Sequence, residues 1–288
     1  MNHEEWTAAQ SETTVTVDGH ELSVAYYEGG PDDGSDADTL VFLHGVPTWS
    51  YLWRRIAPAF EDDYRVIAPD LVGYGNSDRR DGFDRSIRAQ EAMLGALLDD
   101  LGETAVTLVA HDIGGGAALR FAASAPDRVN RLVASNVVCY DSWPVEFISG
   151  LGLPETAELD DEELEGKLDF AFAEGTYGEA DPEFVAGMKA PWLRADGKRA
   201  LARAAVATNT NHTTEIDYGA VDADVLCLWG GDDVLQPLEY GERLAEDLGG
   251  RVVELDEAYH WVVEDRPEGY REALAAFLAE TGGSGGES

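Results

Sequence analysis

Apolar and polar positions along the chain change period in a regular order. Over residues 14–27 they alternate on either side of Asp18-Gly19, which predicts a β-hairpin closed by a tight turn. Residues 29–38, with their Pro, Gly, Ser and Asp, read as a surface loop. Short apolar runs rich in β-branched residues then recur at 39–43, 64–70, 106–110, 132–138, 225–230 and 252–255, and each predicts a buried strand. Helical spacing fills the intervals: a helix through Ile56 and Phe60, an amphipathic helix over 86–101 with Ile87, Leu94, Leu97, Leu98 and Leu101 on one side, and helices over 238–248 and 267–281. A hairpin followed by alternating strand and helix argues for a mainly parallel sheet covered on both faces.

The alternation breaks between residues 140 and 218. That interval has no strong strand, but helical stretches at 160–174, 181–188 and 197–208. We therefore expect an α/β core domain built from 1–139 and 219–288, with a helical cap, 140–218, inserted between two sheet strands. Residues 282–288 read as a flexible tail. No internal repeat is visible.

Composition narrows the setting. The 288 residues carry 57 acidic and 20 basic side chains, a formal charge of −37, and only three lysines, Lys167, Lys189 and Lys198. Such a surface repels phosphates, so nucleic acid is not an expected partner. It also repels itself unless salt screens it, which leads us to expect adaptation to high salt. The first residues lack a basic segment followed by an apolar one, and no apolar run has the length of a membrane span, so we expect a soluble, cytoplasmic protein with no membrane partner. Cys139 and Cys227 sit in apolar, strand-like surroundings and read as buried thiols.

The chemistry centres on residues 106–122. An apolar run stops at His111-Asp112, and Gly114-Gly115-Gly116 then opens a helical segment. The skeleton is that of the nucleophile elbow G-x-S-x-G, with Ala110 at the first glycine and Asp112 at the serine position. An aspartate capping a helix would give the same pattern, so the assignment turns on its partners. An α/β sheet binds ligands beyond the carboxyl ends of its strands. Gly45-Val46, Asp112, Asp233 and His260 all fall at such ends, in the chain order nucleophile, acid, histidine.

His44-Gly45-Val46-Pro47-Thr48-Trp49-Ser50-Tyr51-Leu52-Trp53-Arg54, Pro69-Asp70-Leu71-Val72-Gly73-Tyr74-Gly75-Asn76-Ser77-Asp78 and His111-Asp112-Ile113-Gly114-Gly115 resemble the haloalkane dehalogenase and epoxide hydrolase branch of the α/β-hydrolases. The likeness covers nearly the whole chain outside the insertion. It implies the α/β-hydrolase fold, with Asp112 as nucleophile, His260 as base, Asp233 as the residue orienting it, and the backbone N–H groups of Val46 and Ile113 as oxyanion hole. Asp232 is the alternative acid if the loop is displaced by one residue.

The chemistry of an aspartate agrees with that role. With an ordinary pKa of about 3.9 it is already charged at neutral pH and needs no base to activate it. It can displace a leaving group from a saturated carbon, and His260 would then deprotonate a water that attacks the resulting ester. No cofactor or metal is required. The expected substrate is a small molecule with an electrophilic saturated carbon.

The chain also departs from the family. Haloalkane dehalogenases cradle the halide with side-chain donors after the nucleophile and after the His-Gly pair or in the lid, but the two core positions here are Ile113 and Val46. Donors must come from elsewhere, and Trp49, Tyr140, Trp143, Tyr177, Trp192 and His212 are the candidates. The expected activity is that of a haloalkane dehalogenase-like hydrolase. Epoxide hydrolase is the alternative reaction, through a pair of lid tyrosines, and a ligand-binding protein without catalysis is the alternative of another class.

Overall fold

The computed structural model of the chain describes residues 1–31, 37–207 and 209–281. Half of the loop expected at 29–38 (residues 32–36), residue 208 at the end of one expected helix, and the tail at 282–288 lie outside the described residues. The hairpin forms β1 (Gln10–Val17) and β2 (His20–Gly29), longer than the alternation suggested because pairing runs from Gln10 opposite Tyr27 to Val17 opposite His20. The remaining strands are β3 (Thr39–Leu43), β4 (Arg65–Pro69), β5 (Val106–His111), β6 (Val129–Ser135), β7 (Asp224–Gly230) and β8 (Arg251–Leu255). They form one eight-stranded sheet in the order β1-β2-β4-β3-β5-β6-β7-β8. Pairing is antiparallel from β1 through β4 and parallel from β4 to β8.

Every residue of β3 and of β5 is buried, which is why these strands read as unbroken apolar runs rather than as alternations. The helix Ile87–Asp100 is N-capped by Ser86 and buries Ile87, Met93, Leu94, Leu97 and Leu98. Three features depart from the expected pattern. The segment through Ile56 and Phe60 forms two 3₁₀ helices, Ser50–Arg55 and Ala57–Phe60, and Pro58, which has no N–H for a continuous α-helix, sits in the first turn of the second. A first helix, His3–Ala9, closed by an Asn2/Glu5 capping box, buries Trp6, which stacks on Tyr27. Strand β6 stops at Ser135 instead of running to Val138, since Asn136 takes a left-handed conformation (φ 47°) and turns the chain toward the elbow.

Between β6 and β7 the described residues contain helices and 3₁₀ turns but no strand; the longer helices are Asp161–Glu174, Pro182–Lys189 and Gly197–Val206. This helical layer is pinned to the sheet domain by two tryptophans. Trp49 Nε1 donates to the Gly187 carbonyl at 2.9 Å, and Trp192 Nε1 donates to the Pro47 carbonyl. Cys139 and Cys227 are buried and free. No described helix is long and apolar enough to cross a membrane.

The charge balance has a consequence for stability. Most arginines already bridge to carboxylates, so salt weakens those pairs a little but screens a far larger excess of like charges. Raising the potassium salt from about 0.1 to about 2 M is expected to lift the melting temperature by about 10 °C. A thermal unfolding series at fixed pH checks this; a flat or falling series would contradict it.

Candidate active site

The site begins where β5 ends. Asp112 takes φ 52° and ψ −125°, a conformation disfavoured for any residue but glycine, and the helix Ile113–Ser124 starts at the next residue. Two glycines make the turn possible. A β-carbon on Gly114 would lie 2.3 Å from the His44 carbonyl oxygen, and one on Gly45 would lie 2.2 Å from Asp112 Oδ1. The Asp112 side chain makes no capping bond to its helix. Instead Oδ1 accepts from the Val46 N–H at 2.8 Å, and the neighbouring Ile113 N–H adds to the pull that favours the charged carboxylate. The carbonyl of Asp112 accepts from Val138 N–H at 3.1 Å, which ties the turned-out end of β6 to the elbow.

His260 lies in the loop after β8. Its Nδ1–H donates to Asp233 Oδ2 at 2.9 Å, and its Nε2 stands 3.7 Å from Asp112 Oδ2, too far for a good hydrogen bond. Asp233 is the buried acid of its loop, while Asp232 is exposed. The oxygens of Asp233 are held by the Leu235 N–H (2.7 Å, on Oδ1) and by Asn136 Nδ2 (2.7 Å, on Oδ2). Asn136 Oδ1 in turn accepts from the Gly230 N–H at 3.0 Å, so one amide joins the ends of β6 and β7. His111 steadies the base from behind: burial pushes its pKa down to about 3, and as the neutral ring it donates from Nε2 to the His260 carbonyl at 2.8 Å.

The electrostatics follow from burial and pairing. Burial pushes the Asp112 carboxyl above the ordinary carboxylate range, against the pull of His260 and the two N–H groups. Burial works in the same direction on Asp233, but there His260, Leu235 and Asn136 outweigh it and hold the group low. For His260 burial favours the neutral ring, yet the charge and hydrogen bond of Asp233, followed by the charge of Asp112, raise its pKa.

Asn136 is the residue that sequence reasoning missed. Its one signal was a polar residue interrupting the apolar run 132–138 near the carboxyl edge where ligands bind. Asn136→Ala removes one donor from Asp233, weakens the Asp233–His260 pair and thereby lets the His260 pKa fall. We expect a loss in kcat of about 10- to 100-fold together with an acid limb displaced to lower pH. Steady-state pH profiles check both; a loss of rate with an unmoved profile would point to a packing role alone.

A cavity of about 240 Å³ opens on Asp112 and His260. Its wall is largely apolar, with Val46, Pro47, Val145, Phe147, Ile148 and Phe170 among the lining residues. A larger open cleft of about 720 Å³, beside Glu28, Arg65 and Glu103, holds none of the groups above. Of the six candidate leaving-group contacts, Trp143 alone lines the smaller cavity. Trp49 and Trp192 spend their N–H groups on the carbonyls of Gly187 and Pro47. Tyr140 donates its hydroxyl to Asp247 and stacks on Tyr218, Tyr177 is 41% exposed outside the cavity, and His212 is buried elsewhere. Among the described residues, no tyrosine lines this cavity.

A family model described as "alpha/beta hydrolase fold" matches residues 38–267. The chain is 36% identical over 131 residues to a cis-3-alkyl-4-alkyloxetan-2-one decarboxylase of Xanthomonas campestris, covering 43% of each chain. It is 42% identical over 117 residues to a haloalkane dehalogenase of Mycolicibacterium paratuberculosis, covering 40% of this chain and 38% of that one. The chain thus spans about two fifths of the length of these curated relatives. Among solved structures it is similar to an alpha/beta hydrolase fold protein from Burkholderia ambifaria, with 29% identity, a TM-score of 0.82, and 92% and 97% of the two chains covered.

Proposed function

The chain belongs to the alpha/beta hydrolase family, and from that premise we propose that it cleaves a small substrate through a covalent aspartyl ester, as a haloalkane dehalogenase-like hydrolase. One observation carries the reading. The elbow presents on the wall of an apolar cavity a carboxylate whose Oδ1 is held by the Val46 N–H and whose Oδ2 stands 3.7 Å from an acid-paired histidine.

On this reading Asp112 Oδ2 attacks a saturated carbon. The new Oδ2–C bond forms as the carbon–halogen bond breaks, and the halide leaves with the bonding pair. The apolar wall leaves the attacking carboxylate poorly solvated, which favours the displacement. His260 Nε2 then takes a proton from a water whose oxygen attacks Asp112 Cγ, and the charge that develops on Oδ1 is received by the Val46 and Ile113 N–H groups. Collapse releases the alcohol and restores the carboxylate, and His260 returns its proton to solvent. Loss of the Asp112 charge in the ester removes one of the two carboxylates that raise the His260 pKa from within the site. The base is therefore more readily neutral in the intermediate than in the free protein. The kcat profile should rise with pH at a lower midpoint than a direct titration of His260 in the free protein gives; coincident midpoints would contradict this.

A second reading is favoured by the relative named for an oxetanone. Attack of Asp112 on the ring carbon bearing oxygen would open a four-membered lactone and leave a tethered carboxylate. Loss of carbon dioxide would then return the electron pair, form an alkene and expel Asp112 unchanged. The epoxide reading lacks its acid, because Tyr140 is engaged with Asp247 and Tyr177 stands outside the cavity. One experiment separates the two readings: a single turnover in heavy-oxygen water with 1-haloalkanes or a 3,4-dialkyl-oxetanone, followed by peptide mass analysis. Hydrolysis places label in Asp112, decarboxylation leaves Asp112 unlabelled while alkene appears, and inertness to both substrates overturns the proposal.

A further inference from the structure

We infer that the leaving group is received by the indole N–H of Trp261, from the histidine loop, together with that of Trp143, from the cap. The inference rests on the aspartyl-ester reading above. It answers the question raised by Val46 and Ile113, which offer no side-chain donor at the two core positions where one was expected.

The seven tryptophans separate by the fate of their N–H groups. Trp6, Trp49, Trp192 and Trp229 donate to Ser50 Oγ and to the carbonyls of Gly187, Pro47 and Gln236. Trp53, Trp143 and Trp261 have buried N–H groups without an acceptor. Trp53 lies in the core between the rings of Phe42 and Tyr270. Trp143 and Trp261, each 2% exposed, both line the cavity that holds Asp112 and His260. A buried donor left unpaired is costly, and in a cavity beside a nucleophile it is the group that an incoming acceptor would satisfy.

Trp261 cannot turn away to find another partner. Its backbone N–H donates to the Gly175 carbonyl at 2.9 Å, and its ring is packed against His260, Phe172 and His111 with centroids 4.7, 5.5 and 5.7 Å away. Gly175, also on the cavity wall, keeps the N–H uncovered. A β-carbon there would lie 2.3 Å from Trp261 Nε1. Two neutral donors in an apolar wall stabilise a developing anion without delivering a proton. As Asp112 Oδ2 bonds to the carbon, the halogen departs with the bonding pair and its new charge falls between the two N–H groups. The donors thus come from the base's own loop and from the cap, leaving the elbow free of them.

The test measures ester formation on Asp112 in single turnovers with 1-chloro-, 1-bromo- and 1-iodobutane. Molar potassium glutamate supplies the salt, so that no added halide competes. Chloride needs the most help in leaving and iodide the least. Trp261→Phe and Trp143→Phe are each expected to slow the chloride reaction about 100-fold and the iodide reaction tenfold or less. Gly175→Ala, whose added methyl would meet Nε1 and push the indole from its place, should widen the chloride-to-iodide ratio in the same direction. A structural role would slow all three halides equally. An unchanged ratio in Trp261→Phe and Gly175→Ala, with melting temperatures near that of the parent, overturns the assignment. If Trp261→Phe does not fold, Gly175→Ala and Trp143→Phe decide it. Absence of any ester in the parent chain instead overturns the aspartyl-ester reading itself.

Discussion

Asp112→Asn is expected to abolish turnover, with a loss of about 10⁴-fold or more, while making the protein more stable. The two effects have one cause. An amide of the same shape keeps an oxygen for the Val46 N–H but is no nucleophile, so no ester forms. Because burial is the largest influence on this carboxyl and raises its pKa, the folded protein disfavours the charged form that it needs at neutral pH. A raised carboxyl pKa means that stability is greatest below the unfolded value and is lost as pH climbs through the folded one. The neutral amide escapes that loss. At pH 7 the variant should therefore melt a few degrees higher, and the difference should shrink as the pH is lowered into the range where Asp112 itself takes up a proton. Calorimetry and single-turnover assays on the same preparation check both halves. A variant that keeps even a hundredth of the parent rate would remove Asp112 from the role of nucleophile. One that loses activity and stability together would indicate a collapsed site.

What could be read from the chain, and what could not, divides along physical lines. Strands β3, β5 and β7 were legible because they are buried on both faces, and a run of apolar residues is the only composition that survives there. The elbow was legible because its glycines are forced by close approach, as Gly114 against the His44 carbonyl makes plain. Asn136 was not, since nothing in the type of one polar residue at a strand end announces that its amide reaches Asp233, 97 positions away. Five of the six leaving-group candidates stand away from the cavity, and Trp143 alone lines it, for a related reason. An aromatic residue advertises a donor, but whether the donor is free depends on which carbonyl lies beside it after folding. Trp49 and Trp192 consume theirs in fastening the helical layer to the sheet domain. Trp261 stood next to the expected base and drew no attention as a residue type; its free N–H and the bare Gly175 beside it exist only in three dimensions.

His260→Asn should convert the protein from a catalyst into a single-use reagent. The amide nitrogen of asparagine branches from the same carbon as Nδ1 of the imidazole, so it can donate to Asp233 and spare that buried carboxylate the loss of its partner. Nothing then remains at the position of Nε2 to take a proton from water. Displacement by Asp112 does not use the base, so halide release should continue up to one equivalent per chain and stop. Intact-mass measurement should show the protein heavier by one alkyl group, located by peptide analysis on Asp112, with steady turnover reduced by about 10³-fold or more. The same variant discriminates between the two readings of the reaction. Decarboxylative ring-opening needs no water and no base, so an oxetanone would still be consumed over many turnovers by His260→Asn with no adduct accumulating. Steady turnover of a haloalkane by the variant, or the absence of both burst and adduct, would contradict a mechanism in which one residue bonds to the substrate and the other releases it.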